Sequence, residues 1–443
     1  MRTPIDDFVR RYADGDAVRL HMPGHKGIGA AEACDITEID GADSLFEASG
    51  IIRESEERAG ELFGAHTLYS TEGSSLCIRA MLYLARKGAL REGRETTVLA
   101  ARNAHRTLIG ATALLDMDVA WLYPRAQDGY LACTVTAEDV RAYLSTHKAP
   151  AAVYLTSPDY LGNRQHIRAI AAVCHAYGTR LLVDNAHGAY LAFLEPNGHP
   201  IAQGADLCCD SAHKTLPVLT GGAYLHIARE APAAMHAEAK VAMAQFASTS
   251  PSYLILASLD RANRTLSEDY RSRLAATVHA VRSLRERLTA YGYGVRGDEP
   301  MKLTLCPHPL GYTGTELAAY LRSAGFVCEM ADATYTVLMP SVATSPEDLR
   351  RLEAALCTLC RRPALSLSSP AFHRPQAVMS AREAMLSPDE CLPLEHCLGR
   401  VVSVATVGCP PAVPIVMPGE RVDEQALALL AHYGTQQLRV VCQ

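Results

Sequence analysis

Lysine is scarce in this chain: among 443 residues there are six, Lys26, Lys87, Lys148, Lys214, Lys240 and Lys302. Chemistry that needs an ε-amino group therefore has few candidates. An apolar leader is also missing. The opening MRTPIDDFVRRYADGDAVRL mixes acids with arginines where a secretory signal needs an apolar core. No stretch reaches membrane-spanning length free of charges and breakers, so no membrane partner is expected. There is no basic excess: the formal net charge is -6, which argues against a nucleic-acid partner. Metal spacing is absent too, with no HExxH and only a lone CxxC at Cys357 and Cys360, so no metal is expected. The 14 cysteines are scattered along a long chain and read as reduced core thiols in a cytoplasmic compartment.

What is present is a large apolar complement, 49% of the residues, enough for two or three domains. Strands are expected at 97–101, 152–156, 180–184, 205–209 and 222–227, alternating with helical stretches such as 167–177. That alternation indicates an α/β fold with a mostly parallel sheet covered by helices on both faces. A long helix over 270–291, strands at 302–306, 327–330 and 336–339, and helices near 315–324 and 346–359 indicate a smaller α/β domain. Prolines at 363, 370 and 375 mark a linker. The expected division is a large domain over 1–265, a small one over 266–362, a linker at 363–376 and a C-terminal α+β module over 377–443.

Of the six lysines, Lys214 stands out, because it sits in Asp210-Ser211-Ala212-His213-Lys214-Thr215 directly after an apolar strand. It reads as a Schiff-base nucleophile, whereas Lys87, Lys148 and Lys240 read as solvated ammonium groups. Upstream, the strand Arg180 to Asp184 ends in an acid and a glycine turn. A lysine and a carboxylate suit pyridoxal phosphate, which needs an amine for attachment and an acid to keep its pyridine nitrogen protonated. The run Thr71-Glu72-Gly73-Ser74-Ser75 opens an apolar helix. Its hydroxyls, free N–H groups and helix dipole suit a phosphate, although plain helix capping explains it when taken alone.

The ordered set HMPGHKG (21–27), DITEIDGADSLFEASGII (35–52), TEGSS (71–75), RNAHRT (102–107), TSPDYLG (156–162), VDNAHGAY (183–190), DSAHKTLP (210–217), TSPSYLILASLD (249–260) and PPAVPIVMPGE (410–420) resembles the Orn/Lys/Arg decarboxylase family. The likeness runs almost end to end and implies the aspartate-aminotransferase-like fold of pyridoxal-phosphate enzymes. It implies that Lys214 carries the cofactor, Asp184 pairs with the pyridine nitrogen, His105 stacks on the ring and Ala186 packs against the other face. Ser74, Ser75, Ser211 and His213 would bind the phosphate, with Thr249 or Ser250 from a partner subunit. Gly73, Thr156 and His187 complete the expected cofactor set.

The implied reaction is decarboxylation of lysine, ornithine or arginine to a polyamine-type amine, in a homodimer whose sites are shared between subunits. Another reaction of the same fold, or a silent paralogue, is the alternative. The chain resembles the short form without an N-terminal wing domain. Glu72, Asn185 and Ala104 depart from the family's common residues, and a carboxylate at Glu72 would repel a phosphate if it pointed there. Asp43, Glu47, Glu329 and Asp332 are candidates for substrate or cross-dimer contacts, each against the reading of a solvated acid. The apolar run Tyr253 to Leu259 suits a subunit contact or, nearly as well, a core helix.

Overall fold

The computed structural model describes residues 1–30, 32–125, 128–366, 372–405 and 412–442. Parts of two expectations lie outside them: 367–371 of the linker, and Pro410 and Pro411 of the proline-rich motif.

Seven strands, β1 (His66–Ser70), β2 (Val98–Ala101), β3 (Val119–Leu122), β4 (Ala152–Thr156), β5 (Arg180–Asp184), β6 (Leu207–Asp210) and β7 (Ala223–Ile227), form one sheet in the order β1-β7-β6-β5-β4-β2-β3. β5 runs parallel to β6 and β2 to β3, while β7 is antiparallel to both β6 and β1. β2, β6 and β7 are buried at every residue, and β4 and β5 at all but one, so they read as continuous apolar runs. β1 is equally buried but polar in sequence, because its hydroxyls bond inside: Thr67 meets His226 at 2.9 Å and Ser70 donates to the carbonyl of Gly73 at 3.0 Å. β3 is only four half-buried residues long. β1 lacks the apolar run that marks the other strands, and β3, although apolar in sequence, is only half-buried.

A second, antiparallel sheet contains β8 (Gly294–Arg296), β9 (Leu303–Cys306), β10 (Met330–Ala331) and β11 (Thr336–Leu338), ordered β10-β11-β9-β8. The strand expected at 327–330 shrinks to Met330–Ala331, since Val327 is 87% exposed and apolar character alone does not pair a strand. Leu284 and Leu288, Leu317 and Leu321, and Leu352 and Leu356 from three helices fill this region's core. A ribbon of β12 (Asp389–Pro393) and β13 (Gln437–Val441) follows.

The chain divides into two compact units. The first is Met1–Glu95, Ala151–Val153 and Ile167–Ala275; the second is Thr96–Pro150, Tyr154–His166 and Ala276–Gln443. In the first unit, Asp260 accepts from the backbone N–H groups of Ile5 and Asp6 at 2.9 and 3.1 Å, capping the helix Pro4–Ala13 from a distant element. Asp260 lies in the helix Tyr253–Ser267, whose Tyr253, Leu256 and Leu259 are fully buried. The core-helix reading therefore accounts for the apolar run considered as a subunit contact.

In the second unit, the buried Arg102 just beyond β2 donates to the carbonyls of Pro414 and Ile415 at 2.9 and 3.0 Å and to Glu420 at 3.0 Å. Burial pushes the Glu420 carboxyl up, and the Arg102 charge opposes it. The guanidinium also lies over the rings of Phe372 and Trp121. Arg102→Ala strands a buried carboxylate and two carbonyls. It should cost about 3–5 kcal/mol, read as a drop in unfolding free energy in urea. A loss under about 1 kcal/mol would show that this cluster holds nothing together.

Candidate active site

Parallel pairing of β5 with β6 sets Asp184 opposite Cys209, so Asp184 and the Ser211–Lys214 turn leave the sheet at neighbouring carboxyl ends. Asp184 is buried, and its Oδ1 accepts from the N–H of Ala186 at 3.2 Å and from the thiol of Cys209 at 3.6 Å. Lys214 sits in the single helical turn Ala212–Thr215, and its Nζ donates to His187 Nε2 at 3.1 Å. His187 is buried on the turn that follows Asp184. Among the sequence-picked residues, Asp184, Ala186, His187 and Lys214 thus come together through adjacent strand ends.

The helix Gly73–Arg91 starts beside this turn, and Ser211 donates to Ser74 at 2.8 Å. Gly73 has φ +70°, and a Cβ there would meet nothing within 4 Å. Its N–H is committed to the carbonyl of Gly221 at 2.7 Å. The next carbonyl, of Gly222, accepts from both the N–H and Nδ1 of His213 at 3.1 and 3.0 Å, and burial lowers the imidazole's pKa. The Gly221–Gly222 turn, which sequence reasoning missed, therefore ties the helix start to the lysine turn. Gly221 has φ +99°, and a Cβ would lie 2.8 Å from the carbonyl of Thr71. Glu72 is exposed and accepts from the N–H of Ser248 at 2.7 Å, which engages its carboxylate with the exposed segment carrying Thr249 and Ser250.

Behind the turn lies a polar cluster that sequence reasoning also missed. Asp210 is fully buried and accepts from Nε2 of His199 and of His226, each at 3.1 Å, and from Asn185 Nδ2 at 2.6 Å. Burial alone would push this carboxyl up, but the two imidazoles overcome it and hold it well below the usual carboxylate range. Burial lowers the pKa of His226. One buried carboxylate is thus held by three side-chain donors. His199, Cys208 and Asp210 also bring one potential ligand atom each within 4.8 Å of one another. His199 lies on a loop and Cys208 and Asp210 on β6, which gives no spacing motif to find.

His105 and Thr156 belong to the second unit. His105 caps the helix Arg106–Leu114, its Nδ1 accepting from the N–H of Thr107 at 3.2 Å and meeting the Thr107 hydroxyl at 2.8 Å. The proton of a neutral ring is thereby placed on Nε2. Thr156 Oγ1 is buried and has no partner among the described residues. Arg106 N–H donates to the carbonyl of Ala412 at 2.9 Å, so the helix start is gripped by the same strap that Arg102 holds.

Two of the four candidate acids serve the backbone. Asp43 accepts from the N–H groups of Ser44, Ser49, Gly50 and Ile52; burial raises its pKa, and these bonds outweigh that to hold it below the usual range. Asp332 accepts from Thr334 and Tyr335, both at 2.7 Å, and Glu329 from the hydroxyl of Tyr160 at 2.6 Å. Glu47 is exposed. Two of the three expected solvated lysines are corrected too: Lys240 pairs with the buried Glu56 at 2.5 Å, and Lys87 with Glu238 at 3.1 Å, while Lys148 is exposed.

The family model described as the Orn/Lys/Arg decarboxylase major domain matches residues 3–301, and that for the C-terminal domain of the same family matches 366–437. A protein of Halalkalibacterium halodurans named arginine decarboxylase is 28% identical over 466 residues, covering 97% of this chain and 93% of its own length. One of the same name from Bacillus subtilis is 26% identical over 469 residues, covering 97% and 93%. Among solved structures, a Francisella novicida lysine decarboxylase superposes with TM-score 0.81 at 16% identity, over 99% of this chain and 81% of that one. A serine palmitoyltransferase of Sphingomonas wittichii gives TM-score 0.57 at 14% identity, over 72% and 78%. The likeness to solved structures establishes the α/β fold expected from the sequence.

Proposed function

The chain belongs to the Orn/Lys/Arg decarboxylase family, and from that premise we propose that it removes the carboxylate of a basic amino acid with pyridoxal phosphate as cofactor. The observation that carries this reading is the joint placement of Asp184 and Lys214 at the ends of neighbouring parallel strands, beside the Ser74–Ser211 pair at a helix N-terminus. Arginine, giving agmatine, is the substrate we place first, because relatives of matching length carry that name. The lysine decarboxylase structures are too distant in sequence to weigh on the choice. We read residues 1–265 as the cofactor domain, 266–362 as the small domain and 377–443 as the C-terminal module, joined through 363–376.

The residues fit the cofactor. Ser74 and Ser211 offer hydroxyls where a helix dipole favours anions. Thr215 Oγ1, beside the lysine, is buried and has no partner among the described residues. When bound, pyridoxal phosphate supplies a protonated ring that accepts the electrons of the breaking Cα–carboxylate bond. Asp184 holds that proton at the ring nitrogen. His187 Nε2 accepts from Lys214 Nζ and so takes the proton the amine must shed to become a nucleophile. His105 offers a flat face fixed by its cap bonds to Thr107, and Ala186 leaves room for a ring.

We further read the active form as a homodimer in the cytoplasm. Val18, Leu20, Met22 and Ile28 are exposed apolar residues of the N-terminal segment, which suits a second copy. No helix among the described residues is long and apolar enough to cross a membrane.

Purified protein given arginine, lysine and ornithine in turn should release carbon dioxide and the matching amine from at least one; release from none would end the proposal. Lys214→Ala should abolish both turnover and borohydride-stable cofactor attachment while keeping the fold by circular dichroism. Attachment that survives would place the lysine elsewhere. Asp184→Asn should still bind cofactor yet lose about a hundredfold or more in kcat, because an amide does not stabilise the ring's charge. Mixing Lys214→Ala chains with chains altered at Thr249 and Ser250 should return part of the activity in hybrid dimers. Verified hybrids without activity would exclude a shared site.

A further inference from the structure

The turn Asn185–Gly188 wraps closely around one side chain. Asn185 N–H donates to the carbonyl of Cys209 at 2.9 Å, and Gly188 N–H to the carbonyl of Asn185 at 2.8 Å. A Cβ at Gly188 would lie 2.0 Å from Asn185 Oδ1, so the turn closes over this side chain only with glycine at 188. That amide points its Nδ2 at Asp210 Oδ1, 2.6 Å away. At the other end of the turn, His187 Nε2 meets Lys214 Nζ at 3.1 Å, and Lys214 N–H returns to the carbonyl of Ser211, next to Asp210. The contacts form a closed ring.

The polarity around Asp210 is one-directional. His199 Nδ1 accepts from the N–H of Ile201 at 3.3 Å, so a neutral ring carries its proton on Nε2 and donates it to Asp210 Oδ2. His226 Nδ1 meets Thr67 Oγ1 at 2.9 Å and its Nε2 meets the same Asp210 oxygen. Asn185 Nδ2 is the donor on the other oxygen. A carboxylate at position 185 would put two acceptors 2.6 Å apart in a site with no exposed atoms.

We propose that Asp210 and Asn185 are a matched positioning pair: the Asp210 carboxylate orients the Asn185–Gly188 turn, and so holds Ala186 and His187 in register with Lys214. The role rests on the cofactor reading given above. Neither residue needs to touch cofactor or substrate. The pair follows from opposite polarity at one contact, so reversing the polarity should preserve it. In the exchange Asn185→Asp with Asp210→Asn, the new amide donates to the new carboxylate, and its oxygen still accepts from both imidazoles. Asp210→Asn alone is milder, because the Asn185 amide can turn over to present Oδ1.

The test uses four full-length proteins: wild type, Asn185→Asp, Asp210→Asn and the exchanged double variant. Measured on each are the melting temperature, the Kd for pyridoxal phosphate, the visible circular dichroism of bound cofactor, kcat, and metal content after purification. Asn185→Asp is expected to weaken cofactor binding by about tenfold or more and to alter the dichroism, and the double variant to recover most of that loss. A harmless Asn185→Asp, or a double variant no better than that single, overturns the pair, also where the single fails to fold. Coupling in melting temperature with unchanged cofactor binding and dichroism in Asn185→Asp overturns the positioning role. A stoichiometric metal in the wild type also overturns it, since His199, Cys208 and Asp210 would then be ligands. If the wild type takes up no pyridoxal phosphate, the cofactor reading falls, and the pairing is judged on melting temperatures alone.

Discussion

The parallel register of β5 and β6 is the constraint on which the site depends. It sets Asp184 beside Cys209 and brings two strand ends, one carrying the carboxylate and the other the lysine turn, to the same edge of the sheet. Neither element could do this alone. The lysine turn is a single four-residue helical turn, too short to hold its own position. It is fixed instead by the strand before it, by the Gly222 carbonyl that takes both bonds from His213, and by contact with Ser74. Stability of the sheet core and geometry of the site are therefore one problem, because a slip of one residue in β6 would turn Lys214 to the opposite face.

How much of this the sequence discloses depends on whether burial is apolar. β2, β4, β5, β6 and β7 are buried almost throughout by apolar side chains and announce themselves, as do the helices with an apolar face. Lys214 and Asp184 are legible for the same reason, each being a polar residue at the abrupt end of an apolar strand. β1 hides because its polar side chains are satisfied internally, Thr67 by His226 and Tyr69 by Ser55 and Asn263. Lys240 reads as a surface residue for the converse reason: Glu56, its partner, lies 184 positions away and is buried. Short-range pattern cannot reveal a contact between such distant positions.

The same limit applies to acids. Asp43, Asp260 and Asp332 have conspicuous sequence settings but spend their oxygens on backbone N–H groups of loops and helix starts. A carboxylate that accepts several such bonds shapes the chain around it, and has less capacity left for a ligand. Sequence proximity to a motif is thus a poor guide to whether an acid meets substrate. In the second unit, Arg102 is read as part of an RNAHRT motif, yet its own fork is spent on Pro414, Ile415 and Glu420. Its neighbour Arg106 is tied to Ala412, so the C-terminal strap sets the start of the helix that His105 caps.

The set of donors around Asp210 has an electrostatic consequence. A buried carboxylate paired with arginine or lysine would have its field largely cancelled within a few ångströms. Here the partners are two imidazoles and an amide, and in a region shielded from water the imidazoles hold the carboxyl below its usual range against the effect of burial. With Asp184 it places two buried carboxyl groups at the ends of β5 and β6. The arrangement tolerates little change, since a buried charge depends on every donor it has. That dependence accounts for the turn being built around the asparagine amide, with glycine at 188 where any Cβ would force the amide aside.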